Sequence, residues 1–304
     1  MSRCEFGETA AGIPSIAAVT MADVTQNADE QKKLWNGLAG HAWVDTQDLL
    51  DRIYKPFEAL LGDPVSARSP RHVLDVGCGT GSTTLAVARL LGENGRCTGV
   101  DISEPMIAAA RARAAREQAP IDFICANAQI HAFEAASVDM IVSRFGVMFF
   151  DDPIAAFANL RRAATADAEL RAIVWRSAAD NPFMTAAERA AAPLLPNLPP
   201  RRPNMPGQFA FANTEHVRTI LEKAGWSDAT ISPIDVACTL PETELTRYFT
   251  RLGPVGLVLH DVDKQTRDRV VTTVREALTP YVHGAEVRFT AACWMIGTRA
   301  GDPR

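Results

Sequence analysis

The sequence predicts an α/β fold: a doubly wound, mostly parallel seven-stranded sheet with an N-terminal helical lid and a helical insertion before the last strand. Three observations carry this. From residue 71 short apolar runs alternate with amphipathic ones. The short runs are continuously apolar, as in strands buried on both faces. The first of them runs into a glycine loop, D-x-G-x-G-x-G from Asp75 to Gly81, that opens a helix.

Taken in order, residues 1–27 (MSRCEFGETAAGIPSIAAVTMADVTQN) form neither a secretory signal nor an element, because Glu5 and Glu8 interrupt the charge pattern. They are expected to be disordered, with Met21 an alternative start. Residues 28–62 read as a helical lid. DEQKKLWNGLAGHAW comes first, and then Leu50, Ile53, Tyr54, Phe57 and Leu61 recur at helical spacing until Gly62, Asp63 and Pro64 end the run. In the core, residues 71–176, HVLDVG is a strand and STTLAVARLL a helix. RCTGVDI is a strand, and SEPMIAAARARAAREQ a helix capped by Ser103. IDFICAN, VDMIVSRF and ELRAIVW are further strands, with DPIAAFANLRRAA helical between the last two. TADAEL reads as the turn before the fifth strand. Residues 177–300 begin with a proline-rich stretch from Pro193 to Pro206, expected as an extended surface loop. NTEHVRTILEKAG is a helix, DATISPIDVACTL a strand, residues 241–282 two or more helices, and VRFTAACWMIGTRA the last strand. We read 28–300 as one domain.

The chain has 304 residues, 47% hydrophobic and 22% charged, so one α/β domain with additions accounts for it. No run of 18 apolar residues exists, which argues against a membrane span. The net charge of −5 argues against a nucleic-acid partner. Arg111, Arg113 and Arg116 read as a solvated helix face. The six cysteines show no C-x-x-C spacing and are expected as buried, reduced thiols of a cytoplasmic protein. Cys78, inside the glycine loop, reads as a small filler rather than a nucleophile. No metal site is convincing. His260, Asp261 and Asp263 cluster, but no set of acids follows the fourth strand.

A glycine loop at the carboxyl end of a parallel strand lets a ligand approach the backbone and aims helix N–H groups at it. Asp101 ends the next strand, where an acid accepts both hydroxyls of a ribose. A dinucleotide fingerprint would place a third glycine at Ser82, which disfavours a nicotinamide oxidoreductase.

The DVGCGTG loop, the GVDIS strand end and the CANAQIHAF and SRFGVMFF segments resemble, in order and spacing, class I S-adenosylmethionine (SAM)-dependent methyltransferases. The likeness is greatest to the small-molecule enzymes of ubiquinone and menaquinone biosynthesis. It spans roughly residues 30–300, with WNGLAGHAWV and GQFAFAN included. It implies a Rossmann-like methyltransferase fold with SAM as cofactor and 71–176 as the SAM-binding core. It places Gly77, Cys78, Gly79, Thr80 and Gly81 around the methionine and Asp75 at its amino group. Asp101 takes the ribose, Ile102 and Met106 pack on the adenine, and Asn127, Ala128 and Gln129 sit at its edge. Ser143 falls beneath the sulfonium. Asn127 departs from the Asp common in relatives.

The acceptor is expected to be a small, partly apolar molecule methylated at O, C or N. Trp35, Trp43, Phe145, Met148 and Phe209 are its candidate pocket. His41 is either a structural histidine of the lid or a base facing the acceptor. His260 is a second candidate base, and Arg144 either binds an acidic acceptor or makes a structural ion pair. A methyltransferase-fold protein that binds SAM without transferring methyl is the alternative. A monomer or homodimer is expected.

Overall fold

The computed structural model describes residues 30–199, 201 and 205–301. The expectations for residues 1–27, Cys4 and Met21 included, lie outside them. The strands are β1 (His72–Val76), β2 (Arg96–Asp101), β3 (Ile121–Cys125), β4 (Val138–Arg144), β5 (Ala164–Trp175), β6 (Ser227–Pro241), β7 (Val282–His283) and β8 (Glu286–Arg299). They form one sheet in the order β3-β2-β1-β4-β5-β8-β6. β1 to β5 pair in parallel, and β8 runs antiparallel between β5 and β6. The expected mostly parallel sheet is thus present. An eighth strand, the two-residue β7, adds to the seven by pairing with the start of β8.

The sequence explains the core strands directly. Val73, Leu74 and Val76 of β1 and Met140, Ile141 and Val142 of β4 are each at most 1% exposed, because helices cover both faces of these central strands. The helices Ser82–Leu91, Glu104–Glu117 and Pro153–Ala163 make the crossovers. Ser103 and Asp152 cap the last two by accepting from the N–H groups of Met106 and Ala155.

The boundary at Gly62–Pro64 does not hold. The helix Pro56–Arg68 runs through Pro64 and ends at Ser69, whose φ is +47°. Val65, 1% exposed, explains the extension, since it packs on Val73, Val87 and Met140 and that burial outweighs the backbone hydrogen bond proline forfeits. The lid is also broken into shorter helices than the periodicity predicts: 30–36, Leu38–Asp45, Gln47–Tyr54 and Pro56–Arg68.

Two further readings need correction. The proline-rich segment is preceded by a helix, Pro182–Ala191, which buries Phe183 against Phe289 at 4.0 Å between ring centres. Its signal was Pro182 at the first helical position. TADAEL is not a turn, because β5 starts at Ala164. A register shift absorbs the extra residues: Val138 pairs with Ala164 and Met140 with Glu169.

The arginine face is only partly solvated. Arg113 bridges Asp51 of the lid at 2.7 Å, and Arg111 donates to the Phe123 carbonyl. Cys78, Cys97, Cys238 and Cys293 are buried, but Cys125, at the end of β3, is exposed.

Candidate functional site

The strand order reverses between β1 and β4, and the glycine loop lies at that switch point. A cavity of about 380 Å³ opens there, of the size that takes a small ligand.

The glycines have different causes. Gly77, Gly79 and Gly81 all have positive φ, at +69°, +54° and +85°. A Cβ on Gly77 would lie 2.5 Å from the Cα of Gly146, so the neighbour excluding a side chain is the backbone after β4. A Cβ on Gly81 would meet Ala110 and Phe123 at 3.1 Å, so this residue serves helix packing. A Cβ on Gly79 would meet only Met106 Sδ, at 3.7 Å, and Gly79 faces the cavity.

Asp101 organises the loop. Its Oδ2 accepts from Gly79 N–H at 2.8 Å and its Oδ1 from Ser103 N–H at 2.9 Å. It is 8% exposed and on the cavity wall, and burial raises its pKa against the hydrogen bonds that lower it. Each carboxylate oxygen keeps a further lone pair for a ligand hydroxyl. Asp75 lies deeper, 1% exposed. Thr84 Oγ1 donates to its Oδ2 at 2.7 Å, while Oδ1 is buried with no partner in the described structure. Burial pushes its pKa up to about 6.

The lid is pinned over this end. Ser103 Oγ donates to the Trp35 carbonyl at 2.6 Å. Asn36 Nδ2 donates to the Ile102 carbonyl at 3.1 Å, and Asn36 Oδ1 accepts from Glu104 N–H at 2.8 Å. Asn36 therefore caps a helix that belongs to the core. Trp35 meets Trp43 and Phe149 edge-on, at 6.1 and 5.0 Å between ring centres.

Of the residues expected at the cofactor, Gly77, Gly79, Asp101, Ile102, Met106, Asn127, Ala128 and Gln129 line the cavity. Asn127 Oδ1 accepts from Gln129 N–H at 3.0 Å, which shapes the turn after β3. Asp75, Cys78, Thr80, Gly81 and Ser143 are not on the wall. Cys78 packs with Leu85, Ile107 and Phe123, and burial raises its thiol well above the ordinary range. Ser143, fully buried, donates to the Val76 carbonyl at 2.8 Å and ties β4 to the loop.

Trp35, Trp43, Phe145, Met148 and Arg144 line the cavity as well. Phe209 does not; it lies under the Arg201 guanidinium, 4.7 Å from its ring centre. His41 is exposed, with Nδ1 2.9 Å from the Gly37 carbonyl of its own helix. His260 is exposed beside Asp261. Neither histidine reaches the wall, because each sits on the outer side of its segment.

Several wall residues escaped the sequence reading. Gly146 appears there only within SRFGVMFF, although its backbone closes on Gly77. Tyr54 reads as a core position of an amphipathic helix. Asp151 sits beside the helix cap Asp152. It has a buried Oδ1 without a partner in the described structure, and burial and Glu30 push its pKa up to about 6. Phe183, Tyr248, Leu252 and Val255 extend the wall into an apolar end. Among the described residues no cluster of three metal-ligating side chains occurs, and no helix is long and apolar enough to cross a membrane.

Residues 73–167 match the family model described as methyltransferase domain. Nocamycin O-methyltransferase of Saccharothrix syringae is 31% identical over 118 residues, 38% of this chain and 42% of that protein. Aklanonic acid methyltransferase DauC of a Streptomyces species is 32% identical over 100 residues, 33% of this chain and 44% of that protein. A demethylmenaquinone methyltransferase of Shouchella clausii is 34% identical over 92 residues, 30% of this chain and 39% of that protein. The matched stretch is thus less than half the length of each relative. Among solved structures, a putative methyltransferase from Bacillus halodurans is similar with a TM-score of 0.54 and 14% identity, over 81% of this chain and 99% of that one. The [4+2]-cyclase SpnF is similar with a TM-score of 0.50 and 18% identity, over 86% and 95%. At these identities the structures speak for the fold alone.

Proposed function

We propose that this chain, whose residues 73–167 form a methyltransferase domain, is a SAM-dependent methyltransferase acting on a small, partly apolar acceptor. One observation carries the reading. A single cavity joins the glycine loop and Asp101 to an apolar end lined by Phe145, Trp175, Phe183, Tyr248 and Val255. The relatives named for nocamycin, aklanonic acid and demethylmenaquinone support the acceptor class.

The residues fit the cofactor. Gly79 lets a ligand reach the backbone, Asp101 has lone pairs for two ribose hydroxyls, and Asp75 Oδ1 offers a buried acceptor for an ammonium. Ile102, Met106, Ala128 and Trp35 supply apolar surface for a flat base, with Asn127 and Gln129 at its polar edge. When bound, SAM supplies a methyl on a sulfonium, open to in-line attack by a nucleophile.

The chain contributes position and dryness. Phe145 stacks on Trp175 at 4.7 Å between ring centres, and Tyr54 meets both edge-on. This aromatic wall stands at the carboxyl ends of β4 and β5 and begins the apolar end of the cavity. Phe145 has φ +66°, an unfavourable conformation for an aromatic residue, held by its N–H bond to the Ile173 carbonyl. Fixing an acceptor there supplies up to about 7–11 kcal/mol through proximity and orientation. O, C and N acceptors all fit this scheme.

Calorimetry with SAM, with NADH as control, tests the cofactor half. SAM binding without NADH binding supports it, and no SAM binding by folded protein overturns it. Release of S-adenosylhomocysteine across a panel of phenols, carboxylic acids and quinone precursors tests the transfer. The likeness of SpnF makes this second step necessary, because the fold also serves a cyclase. Binding without transfer to any acceptor would favour a SAM-binding protein that does not methylate.

A further inference from the structure

The chain has thirteen phenylalanines and only three tyrosines, yet two of the tyrosines, Tyr54 and Tyr248, line the cavity. They come from different parts of the chain. Tyr54 ends the lid helix Gln47–Tyr54, on its buried face with Leu50 and Ile53. Tyr248 lies on the insertion helix Leu245–Arg251, one turn after the buried Leu245. Both rings are packed. Tyr54 meets Phe57, Phe145 and Trp175, and Tyr248 tilts against Phe183 at 5.7 Å between ring centres. Phenylalanine would pack as well, so the hydroxyls need a separate reason.

Neither hydroxyl is spent. Tyr54 Oη makes no hydrogen bond among the described residues. Tyr248 Oη donates to Met184 Sδ at 3.6 Å, and a thioether is a weak acceptor. Burial pushes both hydroxyls above the ordinary range, and Tyr248 raises Tyr54 further, so each lies within reach of the other's charge. Both therefore stay protonated at neutral pH and serve as donors, not bases. Among the described residues, Arg144 is the one charged group that acts on either hydroxyl; the other neighbours are the thiols of Cys238 and Cys293, which burial keeps neutral. Arg144 makes no ion pair within 4 Å among these residues, and its guanidinium is held 5.5 Å from the Tyr54 ring centre. Its charge draws electrons from the phenol and makes Tyr54 the better donor. Two donors backed by a cation, with no carboxylate beside them, suit an oxygen that carries negative charge. An ammonium would be buried there without a counter-charge. The stacked faces of Phe145 and Trp175 alongside suit a planar ring.

We propose that Tyr54 and Tyr248, one from the lid and one from the insertion, bind a single oxygen of the acceptor between them, and so select a flat phenol or enol over an amine. This rests on the reading above that the apolar end takes the acceptor, and it narrows that acceptor to a ring bearing oxygen. It also gives Arg144 its part, behind Tyr54 and not in an ion pair.

The test is calorimetry with 1-naphthol and with 1-naphthylamine, two probes of one shape, on the wild-type protein, Tyr54→Phe, Tyr248→Phe and the double variant, each with and without S-adenosylhomocysteine. Phenylalanine keeps the rings, and the hydroxyls removed hold no strong bond in the described structure, so all three variants should melt near the wild-type temperature. The wild-type protein should prefer the naphthol by about 10- to 100-fold, each hydroxyl supplying about 3- to 10-fold. Each single variant should lose its share, and the double variant should bind the two probes equally. Affinity for the naphthylamine should stay constant throughout, whereas a role in packing alone would weaken both probes together. A preference that survives in the double variant, no preference in the wild type, or failure of the wild type to bind 1-naphthol overturns the proposal. Failure of S-adenosylhomocysteine to bind, with the naphthol preference intact in its absence, overturns the cofactor reading and leaves the tyrosine pair standing, so the two fail separately.

Discussion

Gly77 and Gly146 exclude each other's side chains. A Cβ on Gly77 would fall 2.5 Å from the Cα of Gly146. A Cβ on Gly146 would fall 2.7 Å from the Cα of Gly77 and 2.4 Å from the Val76 carbonyl oxygen. The contact brings the β1 and β4 ends together where the sheet reverses. It sets the floor on which a ligand of the glycine loop would lie.

Alanine at either position should therefore cost more than alanine at Gly79. Gly79→Ala meets only the left-handed φ, worth about 1–2 kcal/mol. Gly77→Ala adds a backbone clash to that, for about 2–5 kcal/mol in all. Gly146 has an ordinary φ of −76°, so Gly146→Ala isolates the clash. Urea denaturation of the three variants gives the ranking. Gly146→Ala at wild-type stability would show that the two backbones separate at little cost.

Asp101 is expected to do two jobs that substitution separates. Its oxygens hold Gly79 N–H and Ser103 N–H, and the same carboxylate faces the cavity. Asp101→Asn keeps one acceptor oxygen and most of the shape and gives up one of the two loop bonds, so it should fold with a slightly lower melting temperature. It should bind SAM about 10- to 100-fold more weakly, from the loss of charge-assisted bonds. Asp101→Ala should also loosen the loop and lower the melting temperature. Calorimetry and thermal melts on the pair check this; equal SAM affinity in Asp101→Asn and wild type would remove Asp101 from the ribose site.

Asp75 gives a pH signature. Its folded pKa is raised from 3.8 to about 6 by burial, so between these values the folded state binds more protons than the unfolded one. The ionised carboxylate therefore costs the unliganded protein stability above pH about 6, by up to about 3 kcal/mol, and nothing below pH about 4. Asp75→Asn should stabilise the free protein at pH 8, and the gain should fade as the pH drops toward 4. An ammonium favours the ionised form, so SAM affinity should fall as pH falls through about 6 in the wild type and stay flat there in Asp75→Asn. Thermal melts and calorimetry across pH 4–8 read both effects, and a pH-independent stabilisation by Asp75→Asn would contradict the account.

The fold was legible because its signals are local and repeated. Strands such as VDMIVSRF carry a continuous apolar run, Met140–Val142, buried on both faces, and only a sheet covered on both faces needs that. Pro64 misled, and Pro182 went unread. The first is tolerated because Val65 behind it is core, a fact held by Val87 and Met140 further along the chain. The second opens a helix whose burial depends on Phe289. The loop and Asp101 were legible for the same reason as the strands, since the spacing from Asp75 to Asp101 lies within one strand–helix–strand unit. The orientation of single side chains was not. On sequence alone His41 could be structural or face the acceptor, and helix phase turns it outward. Gly146 and Asn36 take their meaning from partners about 70 residues distant, Gly77 and Glu104, which no local pattern encodes.

Gly40 offers a way to loosen the lid without touching the cavity wall. A Cβ there would fall 2.8 Å from Ser103 Oγ and 1.9 Å from the Trp35 carbonyl oxygen, the donor and acceptor of the bond that pins the lid. Gly40→Ala should force the two apart, swing Trp35 off Phe149 and open the cofactor end to water. The lid's other attachments, Asn36 to Ile102 and Glu104, Asp51 to Arg113 and Glu58 to Ser82, stay in place, so unfolding should shift by only about 1–3 kcal/mol. Dissociation of SAM should quicken about tenfold, since a lost hydrogen bond of about 1 kcal/mol and its packing act on the closed state. Stopped-flow tryptophan fluorescence on Gly40→Ala reads the rate. Leu38→Ala, at a site 55% exposed on the same helix, is the control that should leave it unchanged. Equal dissociation rates for Gly40→Ala and wild type would mean that the Ser103–Trp35 bond does not hold the site closed, and that release is gated elsewhere on the wall.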